Sequence, residues 1–202
     1  MRGEDVGGGE RVKYHPHPNP LPSRERVKGI ISQVWQNHNI RGEVKMKITD
    51  FLKEDCILVG LKNRDKKGAI SELLELLKEK KYIKDSKEIL ESVMEREKLG
   101  STGIGQGIAV PHTKTDQIED LVGAVGISEN GVSFDALDGE PVYIIFLILA
   151  PTKSIGLHLK ALAKIARLLK DKTFRNALRK ASSPAEAFNI IKEDEEKLTP
   201  IS

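Results

Sequence analysis

An α/β fold, with a mixed central β-sheet flanked by helices on both faces, is predicted by three observations. From residue 46 onward, short runs rich in Ile and Val alternate with longer segments whose apolar residues recur at helical spacing. The run Val142-Tyr143-Ile144-Ile145-Phe146-Leu147-Ile148-Leu149 is apolar nearly throughout, as a central strand covered on both sides must be. Glycine, asparagine and aspartate clusters separate these runs at turn spacing. Helices packed on a mixed sheet make an α/β sandwich.

The elements follow in order. Residues 57–61 read as a short strand. Ala69, Ile70, Leu73, Leu74, Leu76 and Leu77 mark one face of a helix. A second helix is expected from Ser86 to Lys98, with Asp85 and Glu88 as a capping-box pair and Gly100 as its stop. Ile89, Leu90, Val93 and Met94 form its inward face. Strands are expected at residues 107–111, 121–127 and 142–149, punctuated by turns at Glu129-Asn130-Gly131 and Asp138-Gly139-Glu140-Pro141. A third helix spans residues 155–169, with Leu162, Ile165 and Leu169 facing inward, and a short one follows at 172–179. The last helix opens at Ser183-Pro184, where Pro184 suits the first turn and Glu186 completes a cap. Its acidic stretch, Glu193 to Glu196, is expected to be solvated.

Residues 1–45 have another character. Gly7-Gly8-Gly9 precedes His15-Pro16-His17-Pro18-Asn19-Pro20-Leu21-Pro22, a stretch unable to sustain a hydrogen-bond ladder. His15 and His17 read as part of a solvated tail, and His38 has no partner pattern. The composition shifts at Met46, so residues 1–45 are expected to be a disordered or spurious N-terminal extension and residues 46–202 the folded domain. The formal net charge of +3 resides wholly in the extension. The domain is neutral, which argues against nucleic acid as a partner. Cys56, the single cysteine, sits in an apolar run and excludes an internal disulfide. No apolar run reaches the roughly 20 residues of a membrane helix, and a cytoplasmic setting is expected.

The chemistry concentrates in Ser101-Thr102-Gly103-Ile104-Gly105-Gln106-Gly107-Ile108-Ala109-Val110-Pro111-His112. Alternating Gly103, Gly105 and Gly107 let backbone N–H groups approach a ligand, and successive inward N–H groups can cradle an anion. The glycine spacing does not fit a dinucleotide fingerprint, and the Gly-Lys-Ser/Thr of a P-loop is absent. A plain loop that needs glycine for tight turns remains the alternative. Pro111 biases Val110 toward an extended conformation and places His112 at a rigid strand end. Arg96, near the end of the second helix, is either a solvated helix arginine or a guanidinium for a phosphoryl group at His112. His158, in the first turn of the third helix, is either a half-buried core histidine or a second imidazole at that site.

Four segments carry a resemblance to a known family: MKITDFLKED, EREKLGSTGIGQGIAVPH, FDALDGEPVYIIFLILAP and GLHLKALAKIARLLKD. From Met46 to about Ile191 the chain resembles the enzyme IIA proteins of the bacterial phosphotransferase system (PTS), of the fructose–mannitol type (type 2), and within it the nitrogen-regulatory IIA branch above all. The resemblance implies the type-2 IIA sandwich fold. It implies His112 as phosphoacceptor through Nε2, Arg96 as phosphate-binding arginine and His158 as second active-site histidine. Gly103, Gly105 and Gly107 are assigned to the phosphate-binding loop. No metal and no cofactor are expected.

The activity so implied is that of a phosphohistidine carrier. The donor is an HPr-like phosphocarrier protein. The acceptor is a regulatory target or a IIB domain, with peripheral contact to a membrane permease in the second case. Carbon and nitrogen regulation is the first reading, service to a fructose- or mannitol-type IIB/IIC permease the second. A non-catalytic binding module with an inert His112 is the alternative of another class.

Overall fold

The computed structural model describes residues 46–198 apart from residue 155. The expectations for residues 1–45, with His15, His17 and His38, lie outside the described residues, as does the expected helix start at Ile155. In chain order the elements are α1 (Ile48–Phe51), β1 (Leu52–Val59), α2 (Lys66–Glu79), α3 (Ser86–Lys98), β2 (Gly103–Gly105), β3 (Ile108–Ala109) and β4 (His112–Thr115). There follow β5 (Val122–Val132), β6 (Val142–Pro151), α4 (Leu157–Leu168), α5 (Lys172–Arg179) and α6 (Pro184–Leu198).

Among the described residues, six strands form one sheet in the order β1-β5-β6-β3-β2, with β4 also paired to β6. β1 is parallel to β5, β5 antiparallel to β6, and β3 and β4 both run parallel to β6. The sheet is therefore mixed, as predicted. β6 is buried along its length except for a half-buried Tyr143. Alternate strand residues point to opposite faces, so continuous burial requires cover on both. Two glycines of β5 identify that cover. A Cβ on Gly123 would meet the Phe51 ring of α1, whereas one on Gly126 would meet Leu61 and the α2 residue Leu73. Residues three apart on a strand face opposite sides, so α1 and α2 lie on different faces. α3 packs beside α2 and against β4, while α4 and α6 join α1.

The helices start where side chains satisfy their free N–H groups. Asp65 accepts from Gly68 N–H at 2.9 Å at the start of α2. Asp85 accepts from Lys87 and Glu88 N–H at the start of α3. Each such cap contributes about 1 kcal/mol. Glu88 does not complete a capping box; its carboxylate accepts from Gln117 Nε2 at 2.8 Å. At α6, Ser183 Oγ accepts from Glu186 N–H and the Glu186 carboxylate reaches back to Ser182 N–H.

Four expectations are corrected. β1 begins at Leu52 rather than Ile57, because a register shift after Leu52 carries the exposed Lys53, Glu54 and Asp55 past the ladder. The glycine segment is itself a strand: β2 pairs antiparallel with β3, and residues 105–107 make the turn. Glu129-Asn130-Gly131 is no turn; β5 runs through it with a register shift, and Gly131 N–H is held by Ser128 Oγ at 3.1 Å. Glu195 is not solvated. It is 3% exposed, accepts from Ile48 N–H at 2.5 Å and pairs with Lys164 at 3.3 Å, so it caps a helix 147 residues away in sequence. Cys56 is buried as expected, and burial, with the neighbouring Asp55 charge, pushes its thiol up to about 12. No helix among the described residues is long and apolar enough to cross a membrane.

Candidate functional site

Pro111 places the site. Both β3 and β4 lie along the same side of β6, with Ile108 opposite Ile144 and His112 opposite Ile148. Proline has no N–H for a ladder, and the edge is interrupted at this residue, whose carbonyl accepts from Ile148 N–H at 3.0 Å. His112 emerges immediately after the interruption as the first residue of β4, half-buried. It opens this strand rather than ending the one before it.

The ring of His112 is tied at one nitrogen. Nδ1 lies 2.9 Å from the Val110 carbonyl oxygen. A carbonyl only accepts, so Nδ1 carries the proton and donates, and Nε2 of the neutral ring keeps its lone pair. That assigns the tautomer by partner chemistry. Val110 N–H in turn donates to the Thr102 carbonyl at 3.0 Å, which ties this strand segment to the start of the hairpin.

Arg96 arrives from the last turn of α3. Its Nη1 donates to the Gly100 carbonyl at 3.0 Å, which steers the guanidinium toward the loop rather than into solvent. A cation in the last turn also suits the helix dipole. His158 stands in the first turn of α4, after Gly156, whose φ of 76° is one that glycine adopts without strain. His158 Nδ1 is buried without a hydrogen-bond partner among the described residues.

Arg96 and His158 both stand close enough to His112 for their charges to act on its ring, so three residues scattered in sequence converge. Burial is the largest influence holding His112 below its ordinary pKa. The Val110 carbonyl opposes it, Arg96 and His158 reinforce it, and Glu97 opposes it. His158 is held down by burial first and by the Lys114 charge second. The arrangement disfavours a further positive charge and favours an anion of phosphoryl type.

The glycines also have a structural part in the hairpin. Gly105, Gln106 and Gly107 have φ of 88°, 58° and 77°, a left-handed turn at the hairpin tip. Gln106 N–H donates to the Asp138 carboxylate at 2.7 Å and Gly103 N–H to Ser101 Oγ at 3.1 Å. A Cβ on Gly105 would stand 2.9 Å from Asp138 Oδ2, and one on Gly103 would stand 2.8 Å from Ala136 Cα. Tight approach to residues 136–138 is thus one reason for glycine here. Ile108 and Val110 belong to the core, whereas Ile104 is on the surface at 41% exposure. Leu99, Leu137 and Leu159 are exposed as well.

Sequence reasoning missed Lys114, two residues along β4 from His112 and so on the same strand face. The signal was present in the His-Thr-Lys order once a strand is drawn there. It also missed Glu97, whose buried ion pair leaves no local pattern.

Both imidazoles resist protonation in the native fold, whereas the unfolded chain takes up protons near the ordinary histidine value of 6.5. Stability is therefore full above that pH and declines as pH falls below it toward the depressed native values. Thermal melts below and above pH 6.5 are expected to show a lower Tm on the acid side. The fall should be smaller in a His112→Asn/His158→Asn double variant. An equal fall in both proteins would remove these rings as its cause.

The profile of the family described as "Phosphoenolpyruvate-dependent sugar phosphotransferase system, EIIA 2" matches residues 50–194. The nitrogen regulatory protein of Bradyrhizobium diazoefficiens is 40% identical over 146 residues, covering 72% of this chain and 94% of that protein. The PTS system fructose-specific EIIABC component of Bacillus subtilis is 34% identical over 146 residues, covering 72% of this chain and 23% of that protein. Among solved structures, nitrogen regulatory protein IIA-Ntr from Neisseria meningitidis matches with a TM-score of 0.66 at 35% identity, covering 71% of this chain and 98% of that one.

Proposed function

The chain belongs to the EIIA type 2 family of the phosphoenolpyruvate-dependent sugar phosphotransferase system, and on that premise we propose that it carries a phosphoryl group on Nε2 of His112. The donor is an HPr-like carrier and the output is nitrogen- and carbon-linked regulation. The observation that carries the proposal is the pinned ring: Nδ1 is engaged by the Val110 carbonyl, and Nε2 is left with a lone pair.

The chemistry follows. The Nε2 lone pair forms a bond to the phosphorus of the donor's phosphohistidine as the donor's own N–P bond breaks. The departing electron pair stays on the donor's ring nitrogen. As Nε2 bonds to phosphorus, the His112 ring gains positive character, and the Val110 carbonyl stabilises the Nδ1–H that bears it. Arg96 supplies paired N–H donors to the equatorial oxygens, and His158 lies on the same site. The glycine hairpin holds this frame and contributes those N–H groups that its internal bonds leave available. Imidazole-to-imidazole transfer is close to isoenergetic and reversible. Its low barrier rests on positioning and charge stabilisation.

The regulatory reading is supported by the nitrogen regulatory relatives, which match over nearly their whole length. The fructose-specific relative supports the second reading, a IIA unit that serves a IIB/IIC permease. The test begins with purified protein and ³²P-labelled HPr-like carrier. Acid-labile label on this chain, mapped to the peptide holding His112, is the expected result; absence of label leaves the inert binding module. Adding a purified IIB domain then separates the roles. Rapid loss of label to IIB favours the permease reading, and retention favours regulation.

A further inference from the structure

Glu97 is the residue that the proposed reaction does not use and the fold takes care to bury. Its side chain is 2% exposed. It follows Arg96 directly on α3, and its carboxylate accepts from Thr102 N–H at 3.2 and 3.1 Å and from the Thr102 hydroxyl. Lys66 of α2 completes the pair at 3.2 Å, bridging also to Asp135 at 3.1 Å and lying over the Phe134 ring. A buried ion pair of this kind is weak evidence for a stabilising role, because desolvation offsets most of the attraction. Its geometry points elsewhere.

The bonds form one path. The Glu97 carboxylate holds Thr102, the Thr102 carbonyl holds Val110 N–H, and the Val110 carbonyl holds His112 Nδ1. We propose that Glu97 is a positioning residue for phosphoryl transfer: through Thr102 and Val110 it fixes the His112 ring in the tautomer and orientation that present Nε2. The inference rests on His112 being the acceptor. Each link is a bond of backbone or buried carboxylate, so releasing the first lets the carbonyl that selects the tautomer shift. The charged groups that face His112 are Arg96 and Glu97 from α3 and His158 from α4, with Lys114 of its own strand acting on His158. Among them Glu97 is the carboxylate that favours the protonated ring, so removing its charge moves the His112 titration to lower pH.

The test compares the wild type, Glu97→Ala, Glu97→Gln and Thr102→Val by ¹⁵N NMR of the histidine rings, and then by transfer from an HPr-like phosphocarrier. In the wild type the neutral His112 ring is expected wholly as the Nδ1–H form. Glu97→Ala is expected to show both tautomers. It should also lose about tenfold in the rate of transfer, with about the same half-saturating donor concentration. Glu97→Gln keeps an acceptor for Thr102, so it should retain the single tautomer and most of the rate while titrating at lower pH. If Glu97→Ala does not fold, Thr102→Val carries the test, because it removes the hydroxyl bond that seats Thr102 on the carboxylate, loosens the backbone N–H bond that remains and leaves the Lys66 pair. It should show a mixed tautomer and a slower transfer. A wild-type tautomer in whichever of these two variants folds overturns the proposal, and so does a Glu97→Gln protein as impaired as Glu97→Ala. The NMR comparison needs no phosphoryl donor. A wild-type protein that takes no label would therefore sink the carrier function while the tautomer result still decides the role of Glu97.

Discussion

His112→Ala abolishes acid-labile labelling by a phosphorylated carrier, with no residual signal at another histidine. The expectation follows from the lone pair. Alanine has no nucleophile, and the other imidazole of the site cannot replace it, because the strand that starts at position 112 fixes where the reacting atom sits. The substitution also removes the bond from Nδ1 to the Val110 carbonyl, which costs about 1 kcal/mol in stability. That is small against the stability of a domain this size, so the variant remains folded. Circular dichroism and a thermal melt on the same sample separate loss of chemistry from loss of fold. Label that survives in folded His112→Ala, released by acid and mapped to another residue, would end the assignment.

Arg96→Ala slows transfer by about 10² to 10³-fold, the usual cost of removing one charged donor from a site where anionic charge is stabilised. The guanidinium offers paired donors in a planar fork, which a lysine ammonium does not reproduce. Arg96→Lys therefore falls between wild type and alanine. The fold is expected to change little, since the hydrogen bond that alanine removes is the one to the Gly100 carbonyl at an exposed helix end. Rapid-quench measurement of single-turnover transfer reads the effect directly. A rate within about twofold of wild type in folded Arg96→Ala would remove Arg96 from the site.

The difference between what was legible and what was not has a physical pattern. Amphipathic spacing announces a helix because the core-facing residues lie within one or two turns of each other. Helices α2 and α3 are where that spacing puts them, and the centrality of β6 follows from its unbroken apolar run. The candidate residues stood out for another reason: the glycine-rich segment leading through Pro111 drew attention to His112, whereas Arg96 and His158 stayed open on local pattern and were nominated by the family resemblance. The hairpin was not legible. The strand character of Gly103–Gly105 comes from pairing with β3 and from close approach to residues 136–138, not from β propensity, which glycine lacks.

Sequence alone thus determined the class of fold, the helical faces and the central strand, and it nominated His112, Arg96 and His158 as the candidate residues. Tertiary structure alone decided their convergence, the Nδ1–H tautomer set by Val110, the commitment of Gln106 N–H to Asp138, and the burial of Glu97 and Glu195. The physical reason is range. Periodicity and capping are written within a few neighbouring residues, whereas a carboxylate in the last helix that caps the first, or an arginine brought to a histidine on another element, depends on strand register. Register is fixed only when the whole sheet is assembled and both of its faces are covered.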